Sequence, residues 1–524
     1  IWYSGDPSTA LDGADFGPKP HDAFPNLTDL NGEPVQHEDA TWIFGLANPY
    51  AYAGNDVIDA SALFAGLGAG EGPTVGVIVY GGPGEDTIYG SQTGDHLAGG
   101  SGDDYIEGGR GIDLIYGDSG FNVDPLTRVL TVPTANASDS DTADLLLVPG
   151  DDTLLGEGPR ATLVGALFPF GTDDSSDVSG NGAYSEFDDV IFGDHGAVIQ
   201  DTFENVRYLV DSDPRPQKIE TTLRINRIES REAQDGGDDT IAGELGRDRI
   251  LGGAGSDAIS GDADRDIILG DNGHIDYVSI DAVGAAYVPC TFADAANRLW
   301  VDEVATEVDP AEVPLDIHDD VIAGNADDDT ILGGLGEDPI AGNDNDDLIF
   351  GDHGVAVFVH VIGQGYDDNS RAVAFTTNPA IGGNDTITGD TDDDLVLGGN
   401  GADRISGGSD VDIVLGDNGV LLWRIATDRG TVRELVSTMD PTHGGNDLVF
   451  GDADNDILLG GTADDAASGG TGHALIFGDH GMIGENTTPI TVETISRLPF
   501  TEPLDIDSAS FTRLGNPHPF IWTS

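Results

Sequence analysis

The chain has 524 residues with 96 acidic and 21 basic side chains, a formal net charge of −75, which excludes nucleic acid as a partner because that binding needs a basic face. No stretch is long and apolar enough to cross a membrane as a helix, and the single cysteine, Cys290, excludes an internal disulfide. An apolar fraction of 38% and 76 glycines without a three-residue period fit neither an ordinary globular domain nor collagen.

Residues 1–53 read as a cap or interface, with Trp2 and Trp42 as its aromatics. The chain opens on Ile1 with no signal peptide, so either a leader has been removed or this is part of a longer chain. A first module spans 54–120. After an imperfect copy, GNDVIDA at 54–60, it repeats a nonapeptide whose first clear form is GGPGEDTIY at 81–89. Asp86, Asp95, Asp104 and Asp113 fall nine apart, each followed two residues later by Ile88, Leu97, Ile106 or Ile115. The module closes on the word GDSG at 117.

A degenerate second module, 121–196, keeps the Asp slot at Asp152 and Asp189, loses it at Ala161, and closes on GDHG at 193. The third, 197–273, carries Asp239, Asp248, Asp257 and Asp266 and closes on GDNG at 270. The fourth, 274–354, carries Asp320, Asp329, Asp338 and Asp347 and closes on GDHG at 351. The fifth, 355–419, carries Asp385, Asp394, Asp403 and Asp412 and closes on GDNG at 416. The sixth, 420–481, carries Asp447, Asp456 and Asp465, has Ala474 in its fourth slot, and closes on GDHG at 478. Residues 482–524, with Trp522, read as a second cap.

A fixed short period with glycine and aspartate in register predicts stacked coils. Tight turns force backbone angles that Gly adopts cheaply, with Asn and Asp next best. Where the fourth-position Gly is missing, Asp264, Asp327, Asn345, Asp392 or Asp454 stands in its place. The aliphatic position points inward, so Ile241, Ile250, Ile259 and Ile268 stack into a thin core. One coil takes two nonapeptides, which sets Asp239 under Asp257 and Asp248 under Asp266. After each closing word the sixth position turns apolar (Val198, Ile275, Ala356, Leu421, Ile483), and the coil leaves as a strand. VAVFVHVIG with RAVAFTT, and VLLWRIATDRGTVRELVSTM, read as hairpins between coiled blocks, and TTLRINRIESR and HIDYVSID alternate similarly.

Coils about 4.8 Å apart allow a cation between stacked turns, since calcium–oxygen distances run about 2.3–2.6 Å. Many oxygen ligands and no thiolate favour calcium (Ca2+) over zinc or copper, with magnesium second. General salt adaptation would spread the acidity instead of concentrating it at one repeat position.

The pattern G-x-x-G-x-D-x-(Ile/Leu/Val), roughly twenty copies in register between Gly81 and Gly481, resembles the RTX, or haemolysin-type calcium-binding, repeat family. The resemblance implies an all-β fold, a right-handed parallel β-roll with calcium in its turns, here interleaved with hairpins into an elongated rod. It implies that the sixth-position aspartates are ligands; the Asp of each closing word (Asp118, Asp194, Asp271, Asp352, Asp417 and Asp479) is counted with them. It also implies export in a calcium-poor, unfolded form and folding outside the cell.

GDSG at 117 is a repeat boundary, not a serine nucleophile, because it aligns with GDHG and GDNG and no triad context is recognisable. His195, His353 and His480 share a slot with Asn272, Asn418 and Ser119, which favours a polar turn residue over a zinc or pH-sensing role. The sequons at Asn26, Asn136 and Asn486 matter only in a glycosylating host. The ends, IWYSGD and FIWTS, hint at one unit of a longer repeat or a head-to-tail polymer. The expected function is that of a calcium-binding extracellular or cell-surface structural protein, not an enzyme: a surface-layer, matrix or filament subunit that self-associates. Stacked turns predict roughly fifteen to twenty-five ions. The alternative is the RTX segment of a secreted enzyme, toxin or giant adhesin whose active domain lies elsewhere; a third reading is an adhesin that holds sugar on its hairpin loops.

Overall fold

The computed structural model describes residues 54–67, 76–118, 149–159, 188–200, 225–231, 233, 236–277, 301–307, 318–358, 371–425 and 431–484, with the short strands Asn122–Val123, Leu130–Thr131 and Phe520–Thr523. Cys290, His360, Ala161, the three sequons, Trp2, Trp42 and most of both expected caps lie outside them. Among the described residues there is no helix, and so none long and apolar enough to cross a membrane.

The chain is an all-β parallel β-roll. Alternate nonapeptides go to opposite walls. An outer sheet runs from Val57–Asp59 to Ala466–Ser468, and a central sheet runs from Ile78–Pro83 to Leu475–Asp479. The central sheet has 12 strands; at about 4.8 Å per strand the stack is roughly 50 Å long. Each aliphatic position lies opposite its equivalent two nonapeptides away, as in Ile241↔Ile259 and Ile250↔Ile268. These side chains fill the space between the walls almost without solvent exposure.

The excursions do not interrupt the stack. Ile268 pairs directly with Ile331, Ile349 with Val396, and Val414 with Leu458. Each excursion is inserted into a turn, and the returning coil resumes the same register. The outgoing and returning strands, from Gly196–Gln200 to Phe520–Thr523, form a third, antiparallel sheet of 10 strands. The expected hairpins are present in it: Gly354–Phe358 with Arg371–Thr376, and Gly419–Ile425 with Thr431–Thr438. This cover sheet lies against the outward face of the central sheet. Leu269, Leu332, Phe350, Leu397 and Leu415 pack there with Ile275, Val304, Ala356, Ala374 and Leu421 in one core cluster.

The last glycine of each closing word follows from this packing. A Cβ on Gly196, Gly273, Gly354 or Gly419 would come within 3 Å of Phe192, Leu269, Phe350 or Leu415, the side chain four residues earlier. The chain folds back over that side chain as it passes from the central sheet to the cover sheet, and only glycine leaves the space.

Candidate metal centre

Each turn delivers its sixth-position Asp to the start of a strand, where its carboxylate points along the stack. Two relays result, one on each turn edge. On the first, Asp56 N–H donates to Asp86 Oδ1 at 2.6 Å, and the relay passes through Asp104, Asp152, Asp239, Asp257, Asp320, Asp338, Asp385, Asp403 and Asp447 to Asp465 Oδ1, the last step at 3.1 Å. On the second, Val77 N–H donates to Asp95 Oδ1 at 2.7 Å, and the relay passes through Asp113, Asp189, Asp248, Asp266, Asp329, Asp347, Asp394 and Asp412 to Asp456 Oδ1 at 3.3 Å.

Only Oδ1 is used. In every one of these carboxylates from Asp86 to Asp465 except Asp95, Oδ2 is buried with no hydrogen-bond partner. Asp95 Oδ2 accepts the Ser91 N–H. The free oxygen faces the first glycine of its own turn. A Cβ on Gly261 would lie within 3 Å of Asp266 Oδ2 and of the Gly324 carbonyl oxygen one coil on. Gly81 faces Asp86 Oδ2 and the Gly99 carbonyl, and Gly389 faces Asp394 Oδ2 and the Gly407 carbonyl, in the same way. The missing side chain thus leaves a cradle walled by one carboxylate oxygen and one carbonyl oxygen from successive coils. An orphaned, buried, anionic oxygen beside a carbonyl suits a hard cation that takes oxygen ligands.

Burial has raised these carboxyls in the absence of metal. Desolvation lifts Asp104 from 3.8 to about 8 and Asp394 from 3.8 to about 9, against the lowering effect of the relay hydrogen bonds. Charged together, such a row opposes its own folding unless a cation neutralises it.

The closing-word aspartates stand apart from the relays. Asp194 accepts the Gly237 N–H at 2.9 Å and the Ala254 N–H at 2.6 Å. Asp352 accepts Gly383 N–H at 2.9 Å and Asn400 N–H, and Asp417 accepts Gly445 N–H at 2.8 Å and Thr462 N–H. Asp118 accepts Gly150 N–H at 2.9 Å; Asp271 accepts Leu335 N–H and lies 3.2 Å from His318 Nδ1. These carboxylates clamp the returning chain to the roll. Asp479, the sixth, is exposed. The shared polar slot also serves the turn: Asn272 and Asn418 donate to the Gly253 and Gly399 carbonyls at 3.1 Å. His195 and His353 occupy it fully buried, and burial lowers His353 to about 4.

At Ala474 the slot holds no oxygen, and the first glycine of that turn, Gly469, meets the Ala474 Cβ instead. One relay member, Asp56, was not among the expected ligands. A parallel ladder of fifth-position residues was also not anticipated. There the N–H of one coil donates back to the carboxylate of the coil before, as from Asp238 to Asp151 at 3.1 Å, Glu337 to Asp319 at 2.8 Å and Asp393 to Asp346 at 2.9 Å. The doublets at 151–152, 238–239, 319–320, 346–347 and 393–394 were its signal.

A separate cluster lies in the cover sheet, where His274, Asp276 and Glu303 bring ligand atoms within 4.8 Å of one another. The Arg227 guanidinium already sits 3.3 Å from Asp276 and 2.8 Å from Glu307. Burial disfavours a charge on His274, but hydrogen bonds to Glu303 and Glu307 outweigh it and raise the imidazole to about 9. The cluster is an ion-pair network in which His274 and Arg227 are the cations.

The family model for the RTX calcium-binding nonapeptide repeat (4 copies) matches residues 78–97, 89–123, 235–274, 318–338, 380–419 and 442–476. The chain carries several sets of these calcium-binding repeats, and the coils at 149–159 and 188–193, outside the matched stretches, keep the same register. No curated protein matches the chain.

Proposed function

We propose that this chain of RTX calcium-binding nonapeptide repeats is a calcium-dependent structural protein of the cell exterior, a filament, matrix or surface-array subunit with no catalytic group of its own. In this reading each first-glycine cradle and its sixth-position Asp Oδ2 hold calcium on both turn edges, many ions in all. The observation that carries it is the row of buried Oδ2 atoms without hydrogen-bond partners, most of them beside a carbonyl of the next coil, as at Gly81, Gly261 and Gly389. Calcium supplies the positive charge that lets these carboxylates ionise while buried. The chain's part is to aim two oxygen types into one cradle and to exclude water from it. Metal binding then becomes part of the folding free energy.

The structural role rests on the continuity of the roll through every excursion and on its open strand edges, which suit self-association. The test is negative-stain electron microscopy of the chelator-stripped chain before and after millimolar calcium. Ordered filaments or sheets that appear only with calcium are expected. Isolated rods that fold with calcium and never associate would overturn the assembly role.

A further inference from the structure

Each excursion splits one cradle between two words of sequence. A departure word supplies the first glycine and the clamping Asp; a return word supplies the relay Asp. Gly351 faces Asp385 Oδ2 and the Gly398 carbonyl, and Gly416 faces Asp447 Oδ2 and the Gly460 carbonyl. Gly117, Gly193 and Gly270 face Asp152, Asp239 and Asp320 likewise. In four of these five joints the departure Asp also accepts the N–H two residues before the relay Asp: Gly150, Gly237, Gly383 or Gly445. In the other, His318 takes that place beside Asp271. The joint is made by the two words meeting in the stack, whatever chain connects them.

The described roll carries one unmatched half at each end. At one end stands the departure word Gly478–Asp479–His480–Gly481. Gly478 has nothing within 4 Å of a Cβ position, and Asp479 is exposed, whereas the five other clamping aspartates are buried. At the other end stands the return word Gly54–Asn55–Asp56. A Cβ on Gly54 would have nothing within 4 Å, and Asp56 is exposed and bonds through its backbone, its N–H donating to Asp86 Oδ1 and its carbonyl accepting the Thr87 N–H. The strand that follows presents Val57, 73% exposed, and among the described residues pairs only with Thr87–Tyr89, leaving its other edge open.

We propose that the departure word of one copy and the return word of a second copy close a sixth joint, so that copies stack head to tail as one roll. This rests on the assembly reading above and names its contact. In the joint Asp479 accepts the Gly54 N–H, Asp56 completes the cradle at Gly478, and Asp465 N–H continues the relay to Asp56 Oδ1. Only one turn edge continues, because Ala474 and Val77 hold the other relay's places at the two ends. The joint therefore depends on one column of calcium where the interior has two, and it releases at a higher calcium concentration than unfolds the roll.

The five internal joints fix the register. Outward residues pair across them as Tyr105↔Thr153, Thr153↔Thr240, Ala258↔Val321, Pro339↔Thr386 and Arg404↔Leu448. The same register sets Val57 of one copy opposite Ala466 of the other. Neighbouring strands lie about 4.8 Å apart, within the roughly 4.4–6.8 Å Cα separation of a disulfide. The test uses the full chain with Cys290→Ser, carrying either Val57→Cys or Ala466→Cys, mixed in millimolar calcium under mild oxidation. A covalent dimer of the mixed pair is expected. It should be lost in chelator and lost when Asp479→Ala is added to the Ala466→Cys chain. Mixed dimers absent while calcium still folds the chain and ordered assemblies still form would overturn the joint and leave assembly standing through another surface. Dimers formed as readily by Val57→Cys alone would also overturn it. A chain that calcium does not fold would sink the calcium-roll reading and the joint with it.

Discussion

The two oxygens of one carboxylate have separable roles at Asp329. Oδ1 accepts the Asp266 N–H at 2.8 Å, and Oδ2 is buried without a hydrogen-bond partner beside Gly324. Asp329→Asn keeps an acceptor for the relay and removes the charge. It is expected to bind fewer calcium ions by titration calorimetry while keeping the wild-type far-ultraviolet spectrum at saturating calcium. Asp329→Ala also orphans the Asp266 N–H, and should lose about 1–3 kcal/mol more in denaturant unfolding. Equal calcium counts for wild type and Asp329→Asn would remove Oδ2 from the ligand set. The turn residues make a second point at this scale. Asp264, Asp327, Asn345, Asp392 and Asp454 all adopt φ between 70° and 77°, the left-handed conformation that their fourth-position spacing predicts. Ala463 is held there too, at φ 81°, without a polar side chain to help.

Among the elements, the two kinds of nonapeptide differ in a way the repeat consensus hides. Central strands such as Ile267–Asp271, Leu348–Phe350 and Ile413–Asp417 are buried along their whole length, whereas outer strands such as Ala258–Asp262 and Thr386–Asp390 alternate. A strand buried on both faces reads as an unbroken apolar run, and IIL, LIF and IVL against AIS and TIT were that signal. The cover sheet is what they face. Gly354→Val would drive a branched side chain into Phe350, an overpacking penalty of about 1–3 kcal/mol. Faster amide exchange is expected at 354–358 and 371–376, with the relay amides of Asp347 and Asp394 still protected. Unchanged exchange in the cover-sheet strands would show that the closing glycine is not required for docking.

For the molecule as a whole, burial of so many carboxyls couples folding to pH and to metal. Asp95 and Asp385 are raised to about 7, Asp257 to about 8 and Asp347 to about 9, each chiefly by desolvation, from 3.8. Between pH 3.8 and these values the folded metal-free chain holds protons that the unfolded chain has released. The unfolded state therefore binds fewer protons, and metal-free stability falls as pH rises through that window. In chelator, strand signal by circular dichroism is expected near pH 4 and should be lost by pH 8–9, where calcium restores it. Calcium affinity should weaken as pH drops below about 7, because protons compete for the ligands. Strand content in chelator that is greater at pH 8 than at pH 4 would contradict this.

Sequence by itself determined the coil, its two-nonapeptide pitch, the inward aliphatic column, the aspartate rows and the places where strands leave the roll. All of these are local: a nine-residue period sets which side chain faces in, and glycine or a short polar residue sets where the backbone can turn. Tertiary structure alone decided that coils separated by 63 residues stack as closely as coils separated by 18, that the strands leaving and returning from Gly196 onward join into one sheet, and that closing-word aspartates such as Asp194, Asp352 and Asp417 turn their oxygens to the returning chain. Those outcomes depend on which surfaces meet after long loops close, and loop closure leaves no periodic trace because its entropy grows only slowly with length. The split cradle is the clearest case, since its glycine and its aspartate become one site only when the stack brings them together.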